Sequence, residues 1–367
     1  MSASQSGLAP HVLHVLPQGA SFDVIGAFGT KLRHMLVTSD GEMPSGLRPS
    51  AYLRLASNFP PLQGLPTPGR MQKLARAMTP FDLVLTHGPG ALDVAMAHTL
   101  FKDAMGLPAL VHHEYELDRK PTFRRKWYRR IALGKSAGLV VPGETLEETA
   151  LVDWQQPLGR VKRIAPGIDT KAFAKRPKRD SFRLIKRDGE RWIGVHRETN
   201  TADGIAWLVE AFAPLAEECH LIVIGQGDGQ DELQALVDRL EINHRVHHVG
   251  DLADMTKIMG LFDIYVQPDR ARNFPKHVVE AMAAAVPVIA MAGGEIELVL
   301  SDENHKWLPE AGNRKAFGEL LHDFSADATL RAAIGEANRA RAVKEFDRDK
   351  TVATYRRLYT SAMKREF

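Results

Sequence analysis

The sequence predicts an α/β protein made of two Rossmann-like domains that face a cleft. The chain has 367 residues, which is more than a single hydrophobic core usually holds. In both halves, short apolar runs alternate with helical patterns in units of about 30 residues, the length of a βαβ unit. Around 171–191 this periodicity lapses in a stretch containing Lys-Arg-Pro-Lys-Arg-Asp, which is typical of a linker.

The first half is predicted to form a doubly wound parallel sheet. Its predicted strands are Val12–Leu16, Leu32–Val37, Phe81–Thr86, Leu107–His112 and Gly138–Pro142. One helix is predicted over Ala91–Phe101, and a basic helix follows the fourth strand. His87-Gly88-Pro89-Gly90 comes directly after the third strand. Because glycines let a ligand or a backbone segment approach closely, we expect His87 to lie at a binding site.

The second half repeats the alternation. Its predicted strands are Trp192–Val195, His220–Ile224, Val246–Gly250, Ile264–Pro268 and Val286–Ala290. Its predicted helices are Ile205–Ala216, Glu232–Leu240, Thr256–Gly260 and a further helix that carries Glu280. A glycine-containing loop, Gly225–Gly229, follows the second of these strands.

The stretch 264–299 carries most of the functional information. It contains a buried strand, a loop, a helix with an early carboxylate, a second buried strand and the pair Gly293-Gly294. In an open parallel sheet, both loops would lie at the carboxyl ends of neighbouring strands, where backbone amides and helix N-termini attract anions. The sequence therefore predicts a site for a phosphate-bearing ligand.

This stretch also resembles the donor-binding core of glycosyltransferase family 4, the retaining nucleotide-sugar enzymes of GT-B fold. The usual pattern of that family is Glu-Gly-Phe-Gly, four residues, Glu-Ala-Met-Ala, and later Gly-Gly-x-x-Glu. The matching residues here are Phe274, Glu280, Ala281, Met282, Ala283, Pro287, Gly293, Gly294 and Glu297. The resemblance covers most of residues 80–360 and includes Pro166-Gly-Ile-Asp169 and Val223-Ile-Gly225-Gln-Gly227.

The resemblance implies three parts of the chain: an acceptor-binding domain at 1–172, a nucleotide-sugar-binding domain at 173–345, and a helix at 346–367 that packs back on the first domain. The first eighty residues match the family poorly. The glycine-rich loop that usually follows the first strand is reduced to Gln18-Gly-Ala-Ser21.

Four site residues follow from the resemblance. Glu280 would hold the ribose, Arg197 the diphosphate, and Gly225 belongs to the donor-binding loop. His113, at the end of a strand, would contact the donor sugar. The alternatives are a first-turn glutamate favoured by the helix dipole, a solvated loop arginine, and a histidine that only forms structural hydrogen bonds.

The chain departs from the family pattern at two places. Arg272 stands eight positions before Glu280, where the family has a glutamate. The lysine that normally follows the diphosphate-binding arginine is missing, and the segment carries Asp203 instead. Losing such a charge-assisted contact costs about 1.5–3 kcal/mol, which Arg272, Lys276 and His277 could offset. These departures indicate either an unusual donor, such as one with an acidic sugar, or a site that has lost activity.

Charge placement defines one further feature, the basic stretch 119–130. The net charge is only +3, but seven Lys and Arg residues lie in this stretch. Phe123 and Trp127 would share one helical face. Such a helix could lie on an anionic membrane; alternatively, its aromatic side chains dock into the core. Because the overall charge is nearly balanced, nucleic-acid binding is not expected.

Several classes of protein and site are not expected. No apolar run approaches the ~20 residues of a membrane span, and no secretory signal is recognisable at the N-terminus. The single cysteine, Cys219, fits a reducing cytoplasm and a buried thiol. The neighbours His112 and His113 would point to opposite sheet faces, and Asp347-Arg-Asp349 is better explained by helix capping. No metal ion or other cofactor is expected besides the nucleotide-sugar substrate.

The predicted function is therefore a retaining, metal-independent glycosyltransferase acting in polysaccharide or glycoconjugate biosynthesis. It would move a sugar from a nucleoside-diphosphate sugar to a glycan or lipid-linked acceptor, in the cytoplasm or on the inner face of the membrane. The alternative is a non-catalytic glycosyltransferase-like subunit that recruits partners.

Overall fold

A computed structural model of the chain describes residues 8–16, 23–44, 47–118, 122–180 and 184–367. The chain forms two compact units, one of Met1–Ala165 with Thr351–Phe367 and one of Pro166–Lys350. The first boundary lies before the predicted 172/173 and the second after the predicted 345/346. Backbone hydrogen bonds of Ile168 tie the segments at both boundaries to each other within the second unit. Its amide donates to the Phe346 carbonyl (2.8 Å), and its carbonyl accepts from Arg348 N (2.9 Å).

The described residues of the first unit form a seven-stranded parallel sheet. Its order is β3-β2-β1-β4-β5-β6-β7, with β1 His11–Leu16, β2 Arg33–Thr38, β3 Leu53–Leu55, β4 Leu83–His87, β5 Ala109–His113, β6 Gly138–Val141 and β7 Val161–Arg163. Between the strands lie α1 Asp23–Phe28, α2 Pro68–Met78, α3 Leu92–Met105, α4 Phe123–Ala132 and α5 Glu144–Val152. β3 and β7 were not predicted, because three residues are too few to show a strand period.

The second unit contains a five-stranded parallel sheet of order β10-β9-β8-β11-β12. The strands are β8 Arg191–His196, β9 Cys219–Ile224, β10 Val246–Gly250, β11 Ile264–Gln267 and β12 Val288–Ala290. The helices are α6 Thr170–Phe173, α7 Ala202–Phe212, α8 Gln230–Arg239, α9 Lys276–Ala283, α10 Glu295–Val299, α11 Asp302–His305, α12 Arg314–Ala326 and α13 Ala328–Glu345. Together, the two parallel sheets confirm the predicted α/β class.

One predicted helix is wrong. Instead of a helix over 256–260, the chain forms two single 3₁₀ turns, Met255–Lys257 and Met259–Leu261. Ile258 separates the turns with a φ of −129°, outside the helical region. A Cβ on Gly260 would lie 2.7 Å from Cδ of Pro177. The segment containing Pro177 therefore packs closely against the backbone of the second turn.

The last helix, α14 Arg348–Met363, packs on the first sheet. Tyr355 and Tyr359 are buried with Val12, Leu85 and Val111 in one apolar cluster. Asp347 accepts a hydrogen bond from Asp349 N at the start of the helix (3.0 Å), consistent with the capping role expected of this Asp-Arg-Asp segment.

The stretch predicted as a linker is anchored to the second unit. Nζ of Lys186, a buried residue, donates to the Leu261 carbonyl (2.6 Å) and to Asp263 Oδ2 (2.5 Å). Cys219 is also buried in this unit, as expected of a structural thiol. Within the described part of the chain, no helix combines the length and apolar character that crossing a membrane requires.

Candidate functional site

The second unit has a topological switch point between β8 and β11. These strands are neighbours in the sheet, yet the chain leaves β8 towards β9 and returns to β11 on the other side. Ligands of open parallel sheets bind outside the carboxyl ends of the strands at such a point. The segments that begin there are 197–201 after β8 and 268–275 after β11.

A network of hydrogen bonds joins these two segments. The Gln267 amide donates to Asn200 Oδ1 (2.7 Å), and the same oxygen accepts from Asp269 N (3.1 Å). Asp269 Oδ2 accepts from the backbone amide (2.6 Å) and hydroxyl (2.8 Å) of Thr201. Both segments are therefore held in fixed positions, as preorganised binding of a ligand requires.

Glu280 lies on α9, the helix that follows the second of these segments, and is buried. Its Oε2 lies 2.8 Å from Nδ1 of His277, and its Oε1 lies 3.9 Å from Nζ of Lys276. The structure thus brings together three of the residues singled out in the sequence. Beneath them the Tyr265 hydroxyl is buried, and burial, with a smaller effect of Glu280, raises its pKa.

His196, which was not predicted, completes this group. Its ring stacks on His277 with centroids 4.0 Å apart and planes at 11°. Burial, followed by the proximity of His277, lowers the pKa of His196 to about 3. The ring is therefore neutral near pH 7, and its buried Nδ1 has no hydrogen-bond partner in the described part of the chain.

Arg197 is buried and faces the loop after β9. Its guanidinium donates to Gln230 Oε1 (2.7 Å) and to the carbonyls of Gly227 (3.3 Å) and Asp228. The alternative of a solvated loop arginine is therefore wrong. Both terminal nitrogens of Arg197 already donate to these protein acceptors. The contact of Arg197 with a diphosphate stays a prediction.

Glycines keep this loop close to the site. Gly225 has a φ of +85°, and a Cβ there would lie 3.1 Å from Cε1 of His196. A Cβ on Gly227 would lie 3.0 Å from Nε of Arg197. Because a larger residue would push the loop away from both side chains, glycine is needed for the close approach.

The glycine pair after β12 plays a similar part. Gly293 and Gly294 have φ values of +116° and +66°, and Gly294 forms an isolated β-bridge with Ala271. A Cβ on Gly293 would overlap the Arg270 side chain, and one on Gly294 would overlap the Ala271 carbonyl. The pair therefore holds the segment after β11 against β12.

The cations proposed to replace the missing lysine lie on this segment and at the start of α9. Arg272 is exposed, and neither a hydrogen bond nor an ion pair is formed by it within the described ranges. Lys276 is half exposed. Asp203, in contrast, is an exposed carboxylate that forms an ion pair with Arg314 (2.6 Å), so its charge is largely compensated there.

His113 belongs to the first unit, where it is buried at the end of β5. Its Nε2 lies 2.9 Å from the Tyr359 hydroxyl and its Nδ1 lies 3.4 Å from the Thr86 carbonyl. Its ring stacks on His87 (4.5 Å), and burial lowers its pKa to about 3. A contact with a donor sugar stays a prediction, and it would require one of these hydrogen bonds to break.

The expected pairing of His87 with a ligand is likewise untested. Its Nδ1 lies 2.7 Å from the Tyr115 hydroxyl, while its buried Nε2 has no partner among the described residues. No group of three His, Cys, Asp or Glu side chains suited to a metal ion occurs in the described ranges.

Helix α4 carries the described part of the basic stretch; Arg119 and Lys120, like the segment Gln18–Ser21, lie outside the described residues. Phe123, Trp127 and Ile131 are 75%, 43% and 47% exposed, so the alternative in which the aromatic side chains dock into the core is wrong for Phe123 and Trp127. Tyr128 does pack against the core, and its hydroxyl donates to Asp93. Arg129 turns inward instead, because Asp118 and Glu114 pair with it.

Sequence reasoning missed His196, Asn200, Gln267, Asp269 and Arg270. The available signal was position, since all five are polar residues at or just after the carboxyl ends of β8 and β11. Periodicity gives no information on which of them hydrogen-bond to each other.

Two family models match the chain. Residues 178–341 match "Glycosyl transferases group 1" and residues 30–172 match "Glycosyltransferase Family 4". The chain is 26% identical over 217 residues to the putative glycosyltransferase EpsD of Bacillus subtilis, which is 57% of this chain and 57% of that protein. It is 24% identical over 312 residues to an MMP alpha-(1->4)-mannosyltransferase of Mycolicibacterium hassiacum, with 78% and 72% covered.

Among solved structures, the fold is similar to that of Anabaena Alr3699/HepE in complex with UDP. The TM-score is 0.75 at 17% identity, and 96% of this chain and 100% of that chain are covered. With several of the curated relatives, this chain matches only about half of their length.

Proposed function

Because the chain belongs to the family 4 glycosyltransferases of GT-B fold, we propose that it transfers a sugar from a nucleoside-diphosphate sugar to a hydroxyl group of a glycan or lipid-linked acceptor. The reaction would serve polysaccharide or glycoconjugate biosynthesis. The observation that carries the proposal is the buried Glu280 at the switch point of the second sheet, bonded to His277 at 2.8 Å.

In this proposal, Glu280 binds the nucleotide. A carboxylate can accept hydrogen bonds from two vicinal hydroxyls, and His277 occupies only one side of its Oε2 atom. Burial strengthens such a bond, because water competes less for the carboxylate. The ribose of the donor offers two adjacent hydroxyls for this contact.

The diphosphate would bind two exposed cations, Lys276, which lies 3.9 Å from Glu280, and Arg272 in the segment before α9. Arg272 presents a planar guanidinium that matches two phosphate oxygens, and Lys276 begins α9, whose N-terminal amides favour negative charge. These groups would stabilise the leaving diphosphate without a bound metal ion. We further propose that transfer retains the anomeric configuration, as the family resemblance implies, and that His113 contacts the donor sugar.

The test measures the thermal stability of the full chain with UDP, GDP, ADP or CMP. A ligand at 100 times its Kd adds about 2.7 kcal/mol of stability, so one nucleoside diphosphate should raise the Tm selectively. Glu280→Ala should abolish that rise, while Glu319→Ala, a change at an exposed position on α12, should not. No rise with any nucleotide would refute the donor site. Nucleotide binding without turnover would favour the non-catalytic alternative.

We also propose that α4 attaches the protein peripherally to an anionic membrane. Its exposed stripe Phe123, Trp127 and Ile131 could enter the lipid interface, and the Arg130 guanidinium lies over the Trp127 ring at 4.9 Å. Basic residues near an anionic surface add about 1 kcal/mol each.

Flotation with vesicles measures this attachment. The chain should float with vesicles containing anionic lipid and not with purely zwitterionic ones. Phe123→Ser with Trp127→Ser should abolish flotation, while Leu158→Ser, a change at another exposed apolar residue, should leave it unchanged. Equal flotation of the double variant would refute the role of α4.

A further inference from the structure

A cavity of about 590 Å³ lies in the first unit, apart from the residues assigned to the donor. It is bounded by the segment after β4, the start of α3, and α4. Pro89, Leu92 and Tyr128 give it an apolar lining, and the guanidinium groups of Arg124 and Arg125 complete it. Its size suits a small organic group rather than a single ion.

Both carboxylates in the lining, Asp93 and Asp118, already pair with an arginine. Asp93 accepts from Arg70 (2.6 Å) and from the Tyr128 hydroxyl. Asp118 pairs with both terminal nitrogens of Arg129, at 2.5 Å and 3.2 Å. Since Arg70 and Arg129 are committed to these acids, neither carboxylate repels an incoming anion at full strength.

Two cations in the lining are at most weakly compensated. Arg124 is exposed, and no polar partner of it occurs in the described part of the chain. Arg125 is 61% exposed and only approaches Asp118, at 3.9 Å. Two adjacent guanidinium groups beside an apolar lining are complementary to an anion that carries an apolar body, and their planar forks match phosphate oxygens best.

We propose that this cavity is a subsite for a phosphate group borne on an apolar or sugar body, as part of the acceptor. The identification as acceptor rests on the proposed function, whereas phosphate binding itself does not. The position of the cavity supports the assignment, because Arg124 and Arg125 lie on the same helix as the exposed stripe of Phe123, Trp127 and Ile131. A membrane-anchored acceptor would thus present its phosphate next to the helix that contacts the bilayer.

The test is calorimetric titration of the full chain with octyl phosphate below its micellar concentration. The wild-type chain should bind it, and octyl glucoside, which lacks the charge, at least tenfold more weakly. Arg124→Gln with Arg125→Gln should weaken octyl phosphate binding at least tenfold. The corresponding pair of lysine substitutions should weaken it less, because lysine keeps the charge but not the planar fork. Arg130→Gln, which changes a basic residue outside the cavity lining, should bind like the wild type.

Two further measurements, with inorganic phosphate and with a saturating nucleotide, separate the explanations. Binding of inorganic phosphate as tight as that of octyl phosphate would overturn the proposal, because the apolar lining would then contribute nothing. Equal binding by the glutamine pair would also overturn it. A saturating nucleotide should leave octyl phosphate binding unchanged. If no nucleotide binds at all, the assignment of the donor site is wrong. The phosphate subsite is still tested independently by the Arg124 and Arg125 variants.

Discussion

Nδ1 of His277 lies 2.8 Å from Oε2 of Glu280, and the His277 ring stacks on the neutral ring of His196 with the ring centroids 4.0 Å apart. The histidine therefore fixes the rotamer of a buried carboxylate. The His196 ring is buried, and the planes of the two imidazole rings differ by only 11°. A change in the orientation of the His277 ring would therefore break this stacking. Glu280 is held in one orientation before any ligand arrives.

From this relationship we predict that His277→Ala weakens nucleotide binding about tenfold. A hydrogen bond to a charged group is worth about 1.5–3 kcal/mol, and about 1.4 kcal/mol corresponds to a factor of ten. Titration calorimetry with the nucleotide selected by the thermal panel measures the change. His277→Gln, which keeps a donor, should recover part of the affinity. The same Kd in the alanine variant would show that His277 does not position Glu280.

The sequence predicted the second sheet well and the contacts of the site poorly, for one physical reason. Burial of β-branched residues imposes a local pattern, so β9 and β10 could be located almost to the residue. Hydrogen bonds such as Gln267 to Asn200 join residues 67 positions apart, and no local period encodes them. Glu280 could be found because it matches the family pattern, and His277 because it lies beside Lys276 in the same segment.

The orientation of α4 shows the same limit. Its sequence allows the aromatic side chains to face either the core or solvent, since both arrangements keep most charges in water. The structure selects the outward orientation through Asp118 and Glu114, whose carboxylates pair with the buried Arg129. Both acids precede the helix in sequence, so a helical pattern alone could not reveal them.

Two helical glycines should respond in opposite ways to alanine. A Cβ on Gly335 in α13 would overlap the Ala285 carbonyl, whereas a Cβ on Gly318 in α12 would have its nearest neighbour, Ala211 Cβ, at 3.8 Å. Gly335→Ala should therefore destabilise the protein by about 1–3 kcal/mol through overpacking. Gly318→Ala should stabilise it by about 0.5–1 kcal/mol through helix propensity. Urea unfolding measures both, and a shift in the same direction for the two variants would contradict the packing at Gly335.

Stability should depend on pH through His98. Burial lowers its pKa from 6.5 to about 4, against a smaller raising effect of its hydrogen bond with the Pro108 carbonyl at 2.8 Å. The unfolded chain therefore binds a proton that the folded chain does not, between these two pH values. Above pH 6.5 both states are neutral at this position, and stability falls as the pH decreases towards 4, by up to about 1.4 kcal/mol per pH unit.

His98→Gln tests this contribution, because glutamine can still donate to the carbonyl but does not titrate. The free energy of unfolding, measured in urea between pH 7 and pH 4.5, should fall less steeply in this variant than in the wild type. The control is His322→Gln on α12, where the side chain is 70% exposed and the pH dependence should not change. An unaltered slope for His98→Gln would mean that His98 is protonated in the folded chain as well.

The last prediction concerns Arg272, which takes the place of a glutamate expected from the family pattern. Arg272 is exposed and directly follows Ala271, which the bridge with Gly294 holds in place, in the segment that leads into α9. If it pairs with an acidic donor sugar, Arg272→Gln should raise the KM for a nucleoside-diphosphate uronic acid at least tenfold, because a charge-assisted hydrogen bond of about 1.5–3 kcal/mol is lost. The KM for the neutral hexose donor with the same base should change less than threefold. Turnover of both donors with a matched set of acceptors measures the two values. An equal rise for both would support the contact of Arg272 with the diphosphate that is proposed above. Turnover that is undetectable in the wild type would leave the departure at Arg272 explained by loss of activity.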